Sequence, residues 1–207
     1  MASVTRLYSV PALEKGLDLI EALAADPRPQ SQSELARTLG KGPSEIFRML
    51  SCLERRGYIS KEAGSGRYRL SLRLYELAHT HSPVDELRRA AEGPMQDLVR
   101  ATEESCHLAV RSRGQLVVVG QSDSPRRIRI SVEVGGRFPL VRTASGRVLL
   151  AHLPSGELDA FLAGDEDWAA LGDPARRRFL GDLIGVRRSG LYVGRSDLTE
   201  GIRDFAA

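Results

Sequence analysis

The sequence predicts an α+β fold. A winged helix-turn-helix over residues 1–80 is joined by a linker helix, 81–104, to a second domain, 105–207, built on an antiparallel sheet. Three observations predict this. Residues 31–70 read as two short amphipathic helices followed by two short strands around a Gly-Ser-Gly turn. From Cys106 the pattern changes to that of strands, with alternation at Leu108 and Val110 and again from Arg127 to Val134, and a β-branched apolar run at Leu116–Val119. Helical stretches follow these strands, the mixture expected of an α+β domain.

Residues 1–8 read as a tail. Ser9 is placed to cap a helix whose Pro11 lies in the tolerated first turn, with Leu13, Leu17, Ile20 and Ala24 as its apolar stripe. Asp26-Pro27-Arg28-Pro29 stops it. Ser31 and Glu34 have the S-x-x-E spacing of a capping box, so a helix starts there. Leu35, Ala36 and Leu39 give that helix one apolar side, and Gly40 suits its end. Pro43 fits the first turn of the next helix, where a missing N–H costs nothing. Strands follow near 58–61 and 67–70, and Leu72 to Leu77 is a short apolar segment closing the domain.

The second of the paired helices carries the functional argument. Ile46, Met49, Leu50 and Leu53 fall in one stripe. At about 100° per residue, Ser44, Arg48, Ser51 and Arg55 lie opposite, with Glu45 and Phe47 on the flanks. A helix that buries one side and lays the other in a major groove brings its N-terminal exposed residues to base edges. Arg48 suits a bidentate contact to guanine, and Phe47 suits a thymine methyl. Any amphipathic surface helix shows polar residues opposite its core side, so the helix alone does not decide the matter. The hairpin that follows, with Lys61, Arg67 and Arg69, does favour DNA. From Arg37 to Arg73 there are nine Lys/Arg against three Asp/Glu, an excess suited to phosphates. The candidate DNA-contacting residues are Gln32, Ser33, Lys41, Ser44, Glu45, Phe47, Arg48, Ser51, Lys61 and Arg67.

His79, His81 and Pro83 interrupt the pattern and read as a boundary loop; two histidines two apart do not suit a zinc helix. A helical stripe then runs through Leu87, Ala91, Met95, Leu98 and Thr102, with Gly93-Pro94 expected to bend or restart it. Strands are predicted from Cys106 to Arg111, from Leu116 to Val119, and from Arg127 to Val134, where Arg-Ile-Arg-Ile-Ser-Val-Glu-Val alternates cleanly. Helices are predicted from Ala144 to about Leu153, near 155–163 and near 174–187, then a short strand at 191–193. The helix starting after Thr143 presents free N–H groups and a positive dipole end, with Thr143, Ser145 and Arg142 adding donors, an arrangement suited to a carboxylate. On the residues alone, capping is the simpler account of Thr143 and needs no ligand.

Composition sets the outer limits. The chain is 42% hydrophobic and 28% charged, as ordinary globular proteins are. The net charge of +3 is uneven: residues 1–80 hold twelve basic and nine acidic groups, and residues 81–207 hold eighteen of each. That asymmetry points to a nucleic-acid partner held by one end of the molecule. Two cysteines, Cys52 and Cys106, exclude a disulfide framework and give no metal-ligand spacing. No apolar run approaches the roughly 18 residues of a membrane span, and no signal peptide is visible, so a cytoplasmic location is expected. His107 follows Cys106, but neighbours along a strand point to opposite faces. No GxSxG, P-loop, GxGxxG after a strand or HExxH is present, so no catalytic residues, metal site or cofactor are expected.

GPSEIFRMLSCLERRGYISKEAGSGRYRLSLRLYEL resembles the winged helix of the IclR family of bacterial transcription regulators, and SVPALEKGLDLIEALA resembles that family's opening helix. PLVRTASGRVLLAHL is similar to its ligand-domain signature around a T-A-x-G-K helix start. Each motif is loose; their order and spacing across nearly the whole chain are specific. The resemblance implies a GAF-like second domain, a palindromic duplex operator, a small and often carboxylated effector, and a homodimer or dimer of dimers to which the first helix contributes. It makes Leu140, Arg142, Thr143, Ala144, Ser145 and Gly146 the effector-binding candidates. The chain departs from the family's usual pattern at Lys41-Gly42, at Phe47, at Val141-Arg142 and at Arg147. Gly201 to Ala207 resembles the start of a further strand, so the sheet is expected to be incomplete at this end. A ligand-responsive regulator is the leading reading. Its alternatives are a regulator without ligand response and a GAF-type thiol enzyme with an accessory winged helix.

Overall fold

The computed structural model describes residues 9–80 and 83–207; the tail expected over 1–8 and His81 of the expected boundary loop lie outside them. The chain divides into two compact units, 1–82 and 83–207.

The first unit contains α1 (Pro11–Ala25), α2 (Gln32–Thr38), α3 (Pro43–Arg55), β1 (Ile59–Lys61), β2 (Tyr68–Leu70) and α4 (Arg73–Thr80). Pro11 opens α1, but its N-cap is Val10 and not Ser9; the Glu14 carboxylate takes the Val10 N–H at 3.1 Å. The expected stripe of α1 is also displaced. Leu19 and Leu23 face the core, while Leu13 and Leu17 are half exposed. The capping box of α2 forms as predicted, with both Ser31 and Glu34 engaged. Gly40, at φ +62°, ends α2 in the left-handed region, and the Lys41 N–H reaches back to the Ala36 carbonyl at 2.8 Å. Ile46 and Leu50 of α3 are fully buried against Leu19, Leu35, Ile59 and Tyr68. β1 and β2 pair antiparallel, Ile59 opposite Leu70 and Lys61 opposite Tyr68. Gln30 pairs with Tyr68 as an isolated bridge, which ties the approach to α2 to the wing. The segment after the wing is helical and includes His79, where a loop was expected.

The second unit begins with α5 (Pro83–Thr102), followed by β3 (Cys106–Ser112), β4 (Gln115–Ser122), β5 (Arg137–Phe138), α6 (Ala144–Ala151), α7 (Ser155–Gly164), α8 (Glu166–Ala170), α9 (Asp173–Ser189), β6 (Tyr192–Arg195) and β7 (Arg203–Ala206). α5 runs unbroken through Pro94. Pro94 and Ala90 are both exposed, so water can satisfy the carbonyl the proline orphans. Its buried residue is Val99; Leu87 and Leu98 of the expected stripe are exposed. The antiparallel sheet β3-β4-β5 and the antiparallel hairpin β6-β7 are separate sheets. The strand expected from Arg127 to Val134 does not form. Ile128 is 91% exposed and only Val132 packs toward the core. The core joins Leu116 and Val118 of β4 with Leu150, Leu162, Phe179, Leu183 and Val186 of the helices.

Candidate functional site

The exposed side of α3 follows directly from its buried side. With Ile46 and Leu50 at 0% exposure, the helical period turns Ser44, Phe47, Arg48, Ser51 and Arg55 outward, and all are exposed. Phe47 is 52% exposed, a large apolar side chain held in water with no core to fill. The side chains of Arg48, Lys41 and Arg69 have no ion-pair or hydrogen-bond partner among the described residues. Ser33 is exposed on α2. These groups are available for a partner.

Three other candidates already have work within the fold. The Gln32 side chain donates to the Pro43 carbonyl at 2.8 Å, bracing the start of α3 from α2. Glu45 pairs with Lys15 of α1 at 2.6 Å, and this contact holds its carboxyl below the usual carboxylate range. The charge of this carboxylate on the exposed side of α3 is thereby compensated from within. Arg67 grips Glu34 with its two terminal guanidinium nitrogens, at 2.7 and 3.3 Å, and Nη1 also donates to the Pro29 carbonyl at 3.0 Å. Lys61 lies 5.3 Å from the centre of the Tyr68 ring and remains exposed.

In the second unit, α6 begins where its sequence says it should. Thr143 is the N-cap: its hydroxyl accepts from the Gly146 N–H at 3.1 Å and donates to the Pro139 carbonyl at 3.2 Å. Leu140, Ala144 and Gly146 are buried. A Cβ on Gly146 would stand 2.1 Å from the Leu140 oxygen, so only glycine allows this helix start to close on the preceding loop. Arg142 points to Asp167 at 2.6 Å. Ser145 is the half-buried polar member, 3.1 Å from the ring nitrogen of His107 on β3. Crowding by the protein pushes the His107 imidazole below its usual range, and Asp204 on β7 pulls weakly the other way.

Two features escaped the sequence reading. Arg147 is only 8% exposed, pairs with Asp197 at 2.7 Å and Asp182 at 3.5 Å, and lies over the Phe179 and Tyr192 rings. Burial pushes the Asp182 carboxyl up against the pull of Arg147. The only sequence signal was its place beside the T-A-x-G motif. The Ser145–His107 contact joins residues 38 apart, which periodicity cannot bring together. Cys106 does not meet His107. Its thiol faces the Met95 carbonyl at 3.6 Å, and burial pushes it up, away from the reactive thiolate.

The family profile for the bacterial transcriptional regulator IclR C-terminal domain matches residues 80–207, and that for the IclR helix-turn-helix domain matches residues 12–63. The HTH-type transcriptional regulator KdgR of Escherichia coli is 32% identical over 158 residues, covering 76% of this chain and 60% of its own. The glycerol operon regulatory protein of Streptomyces coelicolor is 32% identical over 155 residues, covering 75% of this chain and 61% of its own. The chain thus matches about three fifths of the length of these two curated relatives. Among solved structures, an IclR homolog from Microbacterium hydrocarbonoxydans complexed with 4-hydroxybenzoate superposes with a TM-score of 0.80 at 20% identity, covering 94% of this chain and 81% of its own. Pseudomonas aeruginosa HmgR gives 0.71 at 27% identity, covering 92% and 79%. With both profiles matched in order along one chain, this protein belongs to the IclR family of bacterial transcriptional regulators.

Proposed function

We propose that the chain is a sequence-specific DNA-binding regulator of transcription that responds to a small carboxylate and acts in the cytoplasm as a homodimer, not as an enzyme. The observation that carries this reading is the outer face of α3, where Ser44, Phe47, Arg48 and Ser51 stand exposed over a fully buried Ile46–Leu50 side. Those four would meet base edges, Lys41 and Lys61 would meet phosphates, and Gln32 and Ser33 would meet the backbone beside them. The 1–80 segment is then the DNA-binding part, 81–104 the linker and 105–207 the effector part. The thiol-enzyme alternative is disfavoured because the Cys106 thiol is pushed up and faces a carbonyl. Among the described residues no helix is long and apolar enough to cross a membrane.

Selection of bound duplexes from a random library tests the first half. An enriched inverted repeat is expected; recovery of unenriched sequence contradicts it. A second reading, a regulator blind to ligand, is favoured by the internal duties of Thr143, Arg142 and Gly146. Ser145 and His107 remain the groups at the α6 start whose polar atoms a ligand can reach without breaking an ion pair. Thermal-shift measurement with small carboxylates, 4-hydroxybenzoate among them, decides between the two. A raised melting temperature that Ser145→Ala abolishes supports sensing. Identical melting with every acid, alongside tight operator binding, supports the ligand-blind reading.

A further inference from the structure

Every cation at the wing is a candidate phosphate ligand by charge alone, yet one of them differs in its surroundings. Arg67 opens the approach to β2 and reaches back across the chain to residues 29 and 34. Its fork meets both Glu34 oxygens. The same Glu34 carboxylate accepts the Ser31 N–H at 2.7 Å in the capping box that starts α2. One residue further on, Tyr68 exchanges two backbone hydrogen bonds with Gln30, at 2.9 and 2.7 Å. The wing is therefore stitched to the start of α2 by a strand bridge and by a guanidinium fork, side by side. Lys61 and Arg69, on the same hairpin, have no such carboxylate among the described residues.

We propose that Arg67 is a positioning residue, a strut that fixes the angle of the wing against the helix-turn-helix, and that it is not a phosphate ligand. This rests on the DNA-binding reading above. A planar guanidinium committed to a carboxylate by two parallel hydrogen bonds has its charge compensated and its geometry fixed. A phosphate would have to compete with Glu34 for it. Lys61 and Arg69 then carry the wing's contribution to counterion release, and Arg67 holds them where the duplex passes.

The two roles predict opposite behaviour in Glu34→Gln. If Arg67 held a phosphate, removing the Glu34 charge would free it and tighten DNA binding. As a strut it loses its anchor, and binding weakens. Four variants, Arg67→Ala, Arg67→Lys, Glu34→Gln and the Arg67→Ala/Glu34→Gln pair, are to be titrated with a selected duplex across a salt series, well below their melting temperatures. The strut predicts affinity losses on the order of twofold to fivefold in both single variants. It predicts no further loss in the pair, no rescue by lysine, and a salt slope unchanged from the original chain. Lys61→Ala, as the comparison, drops the slope by about one. Hydrogen exchange at the Gln30 and Tyr68 amides reads wing attachment without any DNA. It should quicken in Arg67→Ala and Glu34→Gln and stay unchanged in Lys61→Ala.

A slope lowered by about one in Arg67→Ala, tighter binding by Glu34→Gln, or full rescue by lysine would overturn the strut. So would unchanged exchange at both amides. If the original chain binds no duplex at any salt, the DNA-binding reading fails, and the exchange measurement still decides whether Arg67 holds the wing.

Discussion

Arg48 and Gly146 show how differently single residues bear on function. Arg48 has no ion-pair or hydrogen-bond partner among the described residues, so its loss should leave stability within about 0.5 kcal/mol. Arg48→Ala should cost roughly 1–3 kcal/mol of specific DNA binding and relax the preference at one base pair. An unaltered base preference in the selected sites would mean that another face of α3 reads the DNA. Gly146 is the reverse case. Gly146→Ala places a Cβ 2.1 Å from the Leu140 oxygen, so the second unit should lose at least the ~1–3 kcal/mol typical of overpacking, seen as a lowered melting temperature. The outward placement of Arg48 was legible because a helix has one period and Ile46 and Leu50 mark its inner side. The Arg67–Glu34 and Ser145–His107 contacts were not, because they join residues that only the tertiary fold brings together.

Among the elements, reciprocal local signatures were legible, whereas single punctuating residues such as Ser9 and Pro94, and stripes set by competition for the core, were not. The α2 capping box is such a signature: Ser31 and Glu34 satisfy each other's backbone groups within one turn. Hydrogen bonds from the Ser31 backbone and side chain, then from Arg67, hold the Glu34 carboxyl at about 2 against an ordinary value of 4.5. A carboxyl depressed in the folded state stabilises fully above its unfolded value and loses that effect as pH falls toward the folded one. Acid unfolding between about pH 4.5 and 2 should therefore be less steep in Glu34→Gln, measured by circular dichroism; an identical acid limb contradicts the assignment. By contrast α1 carries apolar residues on two adjacent stripes. The sequence offered Leu13 and Leu17, whereas packing chose Leu19 and Leu23. The alternation from Arg127 to Val134 promised a strand, but period two says only that a segment can lie extended, not that it will pair with an edge. β5 takes only the Leu116–Val117 end of the second edge of β4, and the 127–134 segment does not join the remainder.

At the scale of the whole molecule, the two units divide the chemistry as the charge divides the sequence. The basic excess lies wholly within residues 1–80, and the balanced remainder builds the unit that holds the α6 helix start. A ligand there can regulate only by binding the DNA-competent and incompetent states unequally. Ser145→Ala should therefore abolish the response of operator affinity to an active carboxylate while leaving ligand-free affinity unchanged; equal loss of both would place Ser145 in the DNA-binding apparatus. The whole division of labour depends on the basic winged helix reading duplex DNA. The most direct test of that reading is the equilibrium affinity of the chain for a selected duplex and for its scrambled counterpart across a salt series. A linear fall of log affinity with log salt is expected for both duplexes, by about 0.9 per phosphate engaged, with the selected duplex bound more tightly throughout. Equal affinity for the two sequences, or binding indifferent to salt, would contradict it.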